Sequence, residues 1–193
     1  MLETQCSSWS RARRGPPGSG WAAIRDNNHI LGLPNLSEAD ENKVLLGNIH
    51  ARNTASIIRI CLRHHVPCML ENPLTSMLWK YPALLHLQDH SSFESHTLDQ
   101  CQFGAPWRKA TRIGAWLCRH CTGLDRRCSG SQGTCSRTGK PHIVLSGVSK
   151  THKVLWTSLA QVYPAKLCQT LASVLTQSSL DSRHYMSARL RCT

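Results

Sequence analysis

The sequence has few acidic residues, no long apolar run and no internal repeat. It contains 11 Asp and Glu against 23 Lys and Arg, so its formal net charge is +12. This shortage of negative charge favours an anionic partner, with nucleic acid ahead of a membrane surface. No apolar run approaches the roughly 20 residues of a bilayer-spanning helix, so we expect no membrane partner. Because no apolar segment follows Met1, we expect no secretory signal and a nuclear or cytoplasmic location.

Cysteine, in contrast, is abundant, with ten residues in a chain of 193. Without a secretory signal these thiols are expected in a reducing compartment, where cysteines serve as metal ligands or nucleophiles more often than as disulfides. The Lys and Arg residues are scattered along the chain rather than gathered in one run. This distribution predicts a folded basic face, with a merely solubilising surface as the alternative.

The chain alternates predicted helices and strands. Ser37 and the acidic residues after it predict a capped helix start, and the helix is expected to run to about His65. The apolar run 66–70 predicts a buried strand that ends at Glu71-Asn72-Pro73. By the same criteria we expect short helices near 75–79 and 82–88, strands near 95–103, 111–118 and 143–145, and a helix over 164–175. This order predicts an α/β sheet.

Four segments resemble, in order, motifs of the cytosine-5 DNA methyltransferases. Cys6-Ser7-Ser8-Trp9-Ser10-Arg11-Ala12 resembles the family's Pro-Cys-Gln-Gly-Phe-Ser-x-Ala loop, with Gln5 in place of the proline. Glu71-Asn72-Pro73 is similar to Glu-Asn-Val, which also follows a hydrophobic strand. Residues 103–111 resemble Tyr-Gly-Val-Pro-Gln-x-Arg-x-Arg, and residues 160–164 are similar to Gly-Asn-x-Val-Pro. The shared order carries the resemblance, which is nearest to the divergent phage and mobile-element branch.

The resemblance implies a fold and a chemistry. The fold would be α/β, an incomplete Rossmann-like S-adenosylmethionine methyltransferase sheet with a Cys-rich insertion. Cys6 would add as a thiolate to C6 of cytosine, and C5 of the resulting enamine would attack the methyl group of the cofactor. Glu71 would hydrogen-bond the exocyclic amine and N3 of the flipped base. The remaining substrate-binding positions would be Asn72, Arg108, Lys109 and Arg112.

The cofactor-binding motif of the family has no counterpart in the sequence. In the family, a strand and a Phe-x-Gly-x-Gly loop precede the catalytic cysteine, whereas only five residues precede Cys6. We therefore expect a fragment that is inactive alone and needs a complementary methyltransferase segment to supply S-adenosylmethionine. The expected partners are that segment and nucleic acid, with DNA favoured. A non-functional product of a decayed mobile element is an alternative, which a failure to fold would indicate.

The Cys-rich segment 118–142 supports a different hypothesis, a zinc-binding nucleic-acid module without catalysis. Cys118-x-x-Cys121 has the spacing of half a zinc knuckle, and Cys128 with Cys135 would complete four ligands, with His142 as an alternative ligand. The second half lacks a Cys-x-x-Cys pair, so a loop of thiols without a ligand role is the competing interpretation. The predicted organisation is a partial catalytic core over 1–117, the insertion over 118–142, a strand and helix returning to the core over 143–177, and a flexible tail over 178–193.

Overall fold

The computed structural model describes the backbone of residues 24–189 and the side chains of residues 24–182. The described helices and strands are, in chain order, α1 (Glu38–Arg63), β1 (Cys68–Pro73), α2 (Pro82–Leu87), β2 (Phe93–Asp99), β3 (Ala110–Trp116), α3 (Trp156–Leu159) and α4 (Ala165–Arg189). Short 3-10 helices span Met77–Lys80, Gln100–Phe103 and Cys121–Gly123. Among the described helices, none is long and apolar enough to cross a membrane.

The three strands form one small antiparallel sheet in the order β1-β3-β2. Because β3 lies between the other two and runs opposite to both, β1 and β2 run in the same direction. Parallel strands need a crossover connection, usually helical, and residues 74–92 supply one that contains α2. The predicted mixed α/β class is therefore confirmed.

Helix α1 begins and ends close to its predicted boundaries. The Ser37 hydroxyl accepts a hydrogen bond from the Asp40 amide at 3.3 Å, which satisfies one of the free donors of the first turn. Glu38 and Asp40 add negative charge at this positive end of the helix. Apolar residues at helical spacing then give α1 one buried face, which includes Val44, Ala51, Ala55 and Ile58.

The described chain divides into two compact units. Unit 1 contains residues 24–95 and 114–117, and its core joins α1, β1 and the 74–92 connection around Trp116. Trp116 is fully buried, donates from Nε1 to the Leu87 carbonyl at 2.7 Å, and lies 5.0 Å from Phe93, ring centroid to ring centroid. The bond to the Leu87 carbonyl satisfies the one polar atom of this side chain.

Unit 2 contains residues 96–113 and those from 118 onward. Its long helix α4 buries Leu167, Leu171 and Val174 on one face. Between 118 and 155, however, regular structure is limited to one 3-10 turn and two isolated bridges, Thr134 with Pro141 and Val148 with Leu155. Loops therefore make up most of this segment.

Three predicted elements differ from the structure. Residues 100–103 form a 3-10 helix rather than the end of a strand, and Gly104 closes it at a φ of 109°. The strand predicted at 143–145 is absent, because the segment makes one backbone bond to Pro106 and joins no sheet. Helix α4 continues past Ser178, where the flexible tail was predicted. Ser178 is buried and its hydroxyl bonds both the amide and the carbonyl of Arg119, which anchors the helix there.

Candidate metal centre

Four side chains of unit 2 converge on one point: Cys101, Cys128, Cys135 and His142. Their ligand atoms all lie within 4.8 Å of one another, and the Cys128 Sγ to His142 Nε2 distance is 3.7 Å. In a tetrahedral site with metal–sulfur and metal–nitrogen bonds of zinc length, neighbouring ligand atoms are about 3.6–3.8 Å apart. The cluster can therefore hold a metal ion after small side-chain adjustments.

Asp99 fixes the first two ligands relative to each other. It ends β2, two residues before Cys101, and its side chain is fully buried. Its Oδ2 accepts a hydrogen bond from the Cys128 amide at 2.8 Å, and its own amide donates to the Arg126 carbonyl at 2.9 Å. The segment that carries Cys128 is thereby bound beside the end of the strand.

A tight turn brings the other two ligands together. The Cys135 amide donates to the Lys140 carbonyl at 2.8 Å, and the His142 amide donates to the Gly133 carbonyl at 2.7 Å. Gly133 has a φ of 78°, a conformation that favours glycine. These two backbone hydrogen bonds fix the positions of Cys135 and His142. The same turn therefore supplies two of the four ligands.

Gly130 is required by the close packing of the loop between Cys128 and Cys135. A Cβ atom at this position would lie 1.9 Å from the Thr134 carbonyl oxygen and 2.8 Å from the Ser136 amide nitrogen. Both atoms belong to the backbone, so a larger residue could be accommodated only by moving the loop. The glycine therefore lets the chain fold tightly enough to direct both thiols inward.

The three thiols differ in their tendency to ionise, and none of them forms a disulfide. Burial raises the pKa of Cys128, but hydrogen bonds from the hydroxyl and amide of Ser136 and from the Gly130 amide outweigh it, so the pKa falls to about 6. Burial likewise opposes ionisation of Cys135, and backbone donors from Arg137 and Thr138 lower its pKa nevertheless.

Cys101 behaves in the opposite way. Burial is the main cause that raises the pKa of its thiol to about 12, and the neighbouring Cys128 and Cys135 add to the rise, against a hydrogen bond from Gln102. A bound cation would favour the thiolate form of such a residue, because metal coordination deprotonates a thiol. The cluster thus contains two thiols whose pKa is lowered by hydrogen-bond donors and one whose pKa is raised by burial.

The structure brings together part of the predicted ligand set. Cys128, Cys135 and the alternative ligand His142 meet in the cluster, and Cys101 joins them. Cys118 and Cys121 are buried outside this group of four. Sequence reasoning missed Cys101 because its three partners lie far along the chain. One signal was present, since six residues separate Cys128 from Cys135 and six separate Cys135 from His142.

The residues singled out by the methyltransferase resemblance have different environments. Cys6 lies outside the described residues. Glu71 and Asn72 are buried in β1 of unit 1, with 1% and 0% of their surface exposed. Lys109 of unit 2 donates from Nζ to the Ala160 carbonyl at 3.1 Å.

The two arginines of that set also differ from each other. Arg108 contacts Asp99 through Nε at 3.3 Å and is exposed at the surface. Arg112 is half-buried in β3, and burial lowers the pKa of its guanidinium. Arg108 is therefore the one with a guanidinium accessible to a ligand.

Comparison of the chain with protein-family models, with curated proteins and with solved structures finds no match. Functional conclusions therefore depend on the charge, burial and geometry of the chain itself. Among the described residues, Cys101, Cys128, Cys135 and His142 bring four potential ligand atoms within 4.8 Å of one another.

Proposed function

We propose that the chain is a zinc-stabilised module that binds nucleic acid. The observation that carries this proposal is the convergence of Cys101, Cys128, Cys135 and His142 within 4.8 Å. Three sulfurs and one imidazole nitrogen suit Zn²⁺ better than the oxygen-preferring Mg²⁺ or Ca²⁺. Four protein ligands also fill a tetrahedral shell, which leaves no open position for a substrate. The proposed zinc is therefore structural rather than catalytic.

The charge of unit 2 supports nucleic acid as the partner. Residues 96–113 and 118–182 contain eleven Lys and Arg against three acidic residues. A surface of this sign attracts a polyanion, and the attraction falls with added salt as counterions compete. DNA is the polyanion that the methyltransferase resemblance favours.

The test of zinc binding compares Cys101→Ser with Cys118→Ser in the full chain. Both residues are buried cysteines of unit 2, but the first belongs to the cluster and the second does not. We expect one zinc per wild-type chain by elemental analysis, loss of that zinc in Cys101→Ser, and its retention in Cys118→Ser. Cobalt substitution should give the absorption of a tetrahedral site with thiolate ligands. Zinc loss from Cys118→Ser alone would support the ligand set predicted from the sequence instead.

The test of nucleic-acid binding measures the affinity of the zinc-loaded chain for labelled DNA over a series of salt concentrations. We expect an affinity that falls as salt rises, depends little on sequence, and is lost after a strong chelator removes the metal. A folded, zinc-loaded chain whose DNA affinity is negligible at low salt would contradict the binding half of the proposal while leaving the zinc site in place.

A second candidate function is the base-side half of a cytosine-5 methyltransferase. Glu71, which would bind the cytosine, is almost fully buried in β1. A carboxylate is seldom buried without a polar or charged partner. The burial of a glutamate at this position therefore supports a functional role for Glu71. In this candidate the three described strands, in the order β1-β3-β2, would belong to an incomplete Rossmann-like sheet.

In this candidate the Cys6 thiolate would add to cytosine C6, and C5 would take the methyl group from S-adenosylmethionine. Loss of the C5 proton would then release the thiolate and 5-methylcytosine. DNA containing 5-fluorocytosine lacks that proton, so the adduct would persist. A calorimetric titration with S-adenosylmethionine comes first, and binding by the chain alone would contradict the expected loss of the cofactor half. If the cofactor binds, wild type should form a denaturant-resistant adduct and Cys6→Ala should form none. A folded wild-type chain that binds no S-adenosylmethionine and forms no adduct would be inactive alone, as the missing cofactor motif predicts.

A further inference from the structure

Two arginines of unit 2 share one buried carboxylate beside the metal cluster. Arg108 and Arg127 each donate from Nε to Oδ2 of Asp99, at 3.3 and 3.1 Å. The Asp99 side chain is fully buried, whereas 41% of the Arg108 side chain and 46% of the Arg127 side chain are exposed. The carboxylate thus holds the inner edge of two guanidinium groups whose outer parts reach solvent.

One cation would be enough to neutralise Asp99, which also accepts the Cys128 amide hydrogen bond. The second arginine therefore leaves a net positive charge at the surface. Within residues 24–182, the terminal Nη atoms of Arg108 and Arg127 have no hydrogen-bond partner. Because Nε is already bound, these terminal donors keep a limited range of positions and lose less entropy when a ligand binds.

Two further arginines of unit 2 are held by contacts of their own. Arg137 donates from Nε to the Cys101 carbonyl at 2.7 Å, and the Arg126 guanidinium lies 5.3 Å from the centre of the Phe103 ring. Both side chains belong to exposed residues. Anchoring through Nε or through an aromatic ring holds the stem of each side chain while the charge stays accessible.

The acidic side chains described in unit 2 do not oppose this charge. Asp99 is occupied by the two arginines, Asp125 accepts from His96 at 2.6 Å, and Asp181 lies 2.9 Å from His120. Since each carboxylate of the unit already has a cationic or hydrogen-bonding neighbour, an approaching anion meets little repulsion at the arginine pair.

We propose that Arg108 and Arg127 form a phosphate-binding surface for the backbone of a nucleic acid. The inference deepens the proposed function, on which it rests, by naming the residues that contact the polyanion. Guanidinium groups match the oxygens of a phosphodiester with two parallel hydrogen bonds, and contacts of this kind position a protein without reading base sequence. The metal cluster would hold the pair in place, because Cys128 adjoins Arg127 and its amide binds the same carboxylate.

The test compares Arg127→Gln with Arg59→Gln in the full, zinc-loaded chain. Arg59 is an exposed arginine on α1 of unit 1, so both variants lose one positive charge. Arg127→Gln leaves Arg108 and the Cys128 amide on Asp99. Affinity for a labelled duplex of mixed sequence is measured by fluorescence anisotropy from low to physiological salt. Circular dichroism and zinc content verify that each variant is folded.

We expect Arg127→Gln to weaken binding about fivefold near 0.1 M salt and to reduce the slope of log affinity against log salt by about 1, as loss of one phosphate contact predicts. Arg108→Gln should act in the same way, and Arg59→Gln should change affinity by less than about twofold. Equal losses from Arg127→Gln and Arg59→Gln would overturn the surface while leaving nucleic-acid binding intact. Failure of the wild-type chain to bind the duplex would instead contradict the proposed function.

A second measurement needs no substitution and so does not depend on variant folding. Wild-type chain is treated with an arginine-modifying dicarbonyl reagent in the presence and absence of the duplex, and the modified positions are identified by mass spectrometry. We expect the duplex to protect Arg108 and Arg127 several-fold and to leave Arg59 unprotected. Protection of Arg59 with continued modification of Arg127 would overturn the assignment.

Discussion

Unit 1 buries aliphatic and aromatic side chains from a long helix and a strand, whereas unit 2 buries several cysteines beside a loop-rich segment. In unit 1 one cluster joins Ile58 of α1, Leu70 of β1 and Trp116 of β3. In unit 2 Cys101, Cys128 and Cys135 form a buried cluster of their own. A segment with few apolar residues often needs a metal to fix its fold. We therefore expect unit 1 to fold by apolar packing and unit 2 to depend on the proposed metal ion.

The units also differ in charge and in how they use arginine. Residues 24–95 and 114–117 contain six Lys and Arg against seven acidic residues, whereas unit 2 carries a large basic excess. Arg25 of unit 1 is 3% exposed and uses its terminal nitrogens on Ile30, Val44 and Asn48. Arg127 of unit 2 binds through Nε, and 46% of its side chain is exposed. One arginine holds a loop in place, and the other is available to a ligand.

Removal of the proposed zinc should have the largest effect, and it should destabilise unit 2 far more than unit 1. Structural zinc contributes about 10–16 kcal/mol of apparent binding free energy in zinc-finger peptides, so its loss can exceed the stability of a small unit. We expect a chelator to abolish hydrogen-exchange protection in residues 99–113 and 118–142 while α1 stays protected. Hydrogen exchange with mass spectrometry measures both regions in one sample.

Readdition of zinc is the control for chelation, since it should restore protection if the ion is the cause. Equal loss of protection in α1 and in residues 118–142 would contradict the comparison. The two units would then depend on the metal to the same degree.

A cavity in the core of unit 1 should cause the next largest loss of stability. Ile58 is fully buried, so Ile58→Ala should lower the free energy of unfolding by about 2–5 kcal/mol. The adjacent Ile57 is 41% exposed, and Ile57→Ala should cost less than about 1 kcal/mol. Urea denaturation followed by circular dichroism at 222 nm, which is dominated by helix, measures both.

The zinc content of Ile58→Ala tests whether the metal centre depends on the core of unit 1. We expect the variant to bind one zinc per chain, because Ile58 belongs to unit 1 and the ligands belong to unit 2. Loss of zinc from a folded Ile58→Ala chain would show that the metal centre depends on the core of unit 1.

Gly130→Ala should destabilise unit 2 by less than Ile58→Ala destabilises unit 1. The new Cβ would meet the Thr134 carbonyl oxygen and the Ser136 amide nitrogen, so the loop must move, at a cost of about 1–3 kcal/mol. Since this loop positions Cys128 and Cys135, zinc affinity measured by competition with a chelating dye should fall about fivefold or more. The exposed neighbour Ser131 is the control, and Ser131→Ala should keep wild-type affinity. Unchanged affinity in Gly130→Ala would show that the loop is not held by the packing described.

Local signals in the sequence were enough to predict the helices of unit 1. The capping side chain of Ser37 predicted the start of α1, and the short helix predicted near 82–88 corresponds to α2. The strand predicted at 66–70 starts at Cys68 in the structure and continues through Glu71 to Pro73. These features depend on neighbours within a few residues, so the local sequence is enough to predict them.

The organisation of unit 2 could not be obtained in the same way. Cys101 meets Cys128 only because β2 ends at Asp99, whose side chain binds the Cys128 amide across 29 positions of the sequence. The Cys-x-x-Cys spacing predicted Cys118 and Cys121 as ligands, because a spacing motif identifies only ligands that are close together in sequence. The strand predicted at 143–145 failed for a related reason, since an apolar run becomes a strand only where a partner strand is available.

The smallest predicted effect concerns a single contact of unit 2 and its dependence on pH. Asp125 binds β2, accepting from His96 at 2.6 Å and from the Thr97 amide at 2.8 Å. Burial raises the pKa of Asp125, but these hydrogen bonds and the His96 charge outweigh it, so the pKa is lowered from 3.8. A carboxyl whose pKa is lower in the folded chain contributes stability above its unfolded pKa and loses it as pH falls through the folded value.

Asp125→Asn should therefore lower the stability of unit 2 near pH 6–7, and the difference from wild type should shrink below about pH 4. Because 56% of the Asp125 side chain is exposed, solvent screening limits the effect to about 0.2–1 kcal/mol. The measurement is the urea midpoint of both proteins at each pH, so metal release in acid affects both alike. Asp89→Asn, at an 81% exposed carboxylate of unit 1, is the control and should show no such trend. A constant difference between wild type and Asp125→Asn down to pH 3 would mean that Asp125 stabilises unit 2 by packing rather than by its charge.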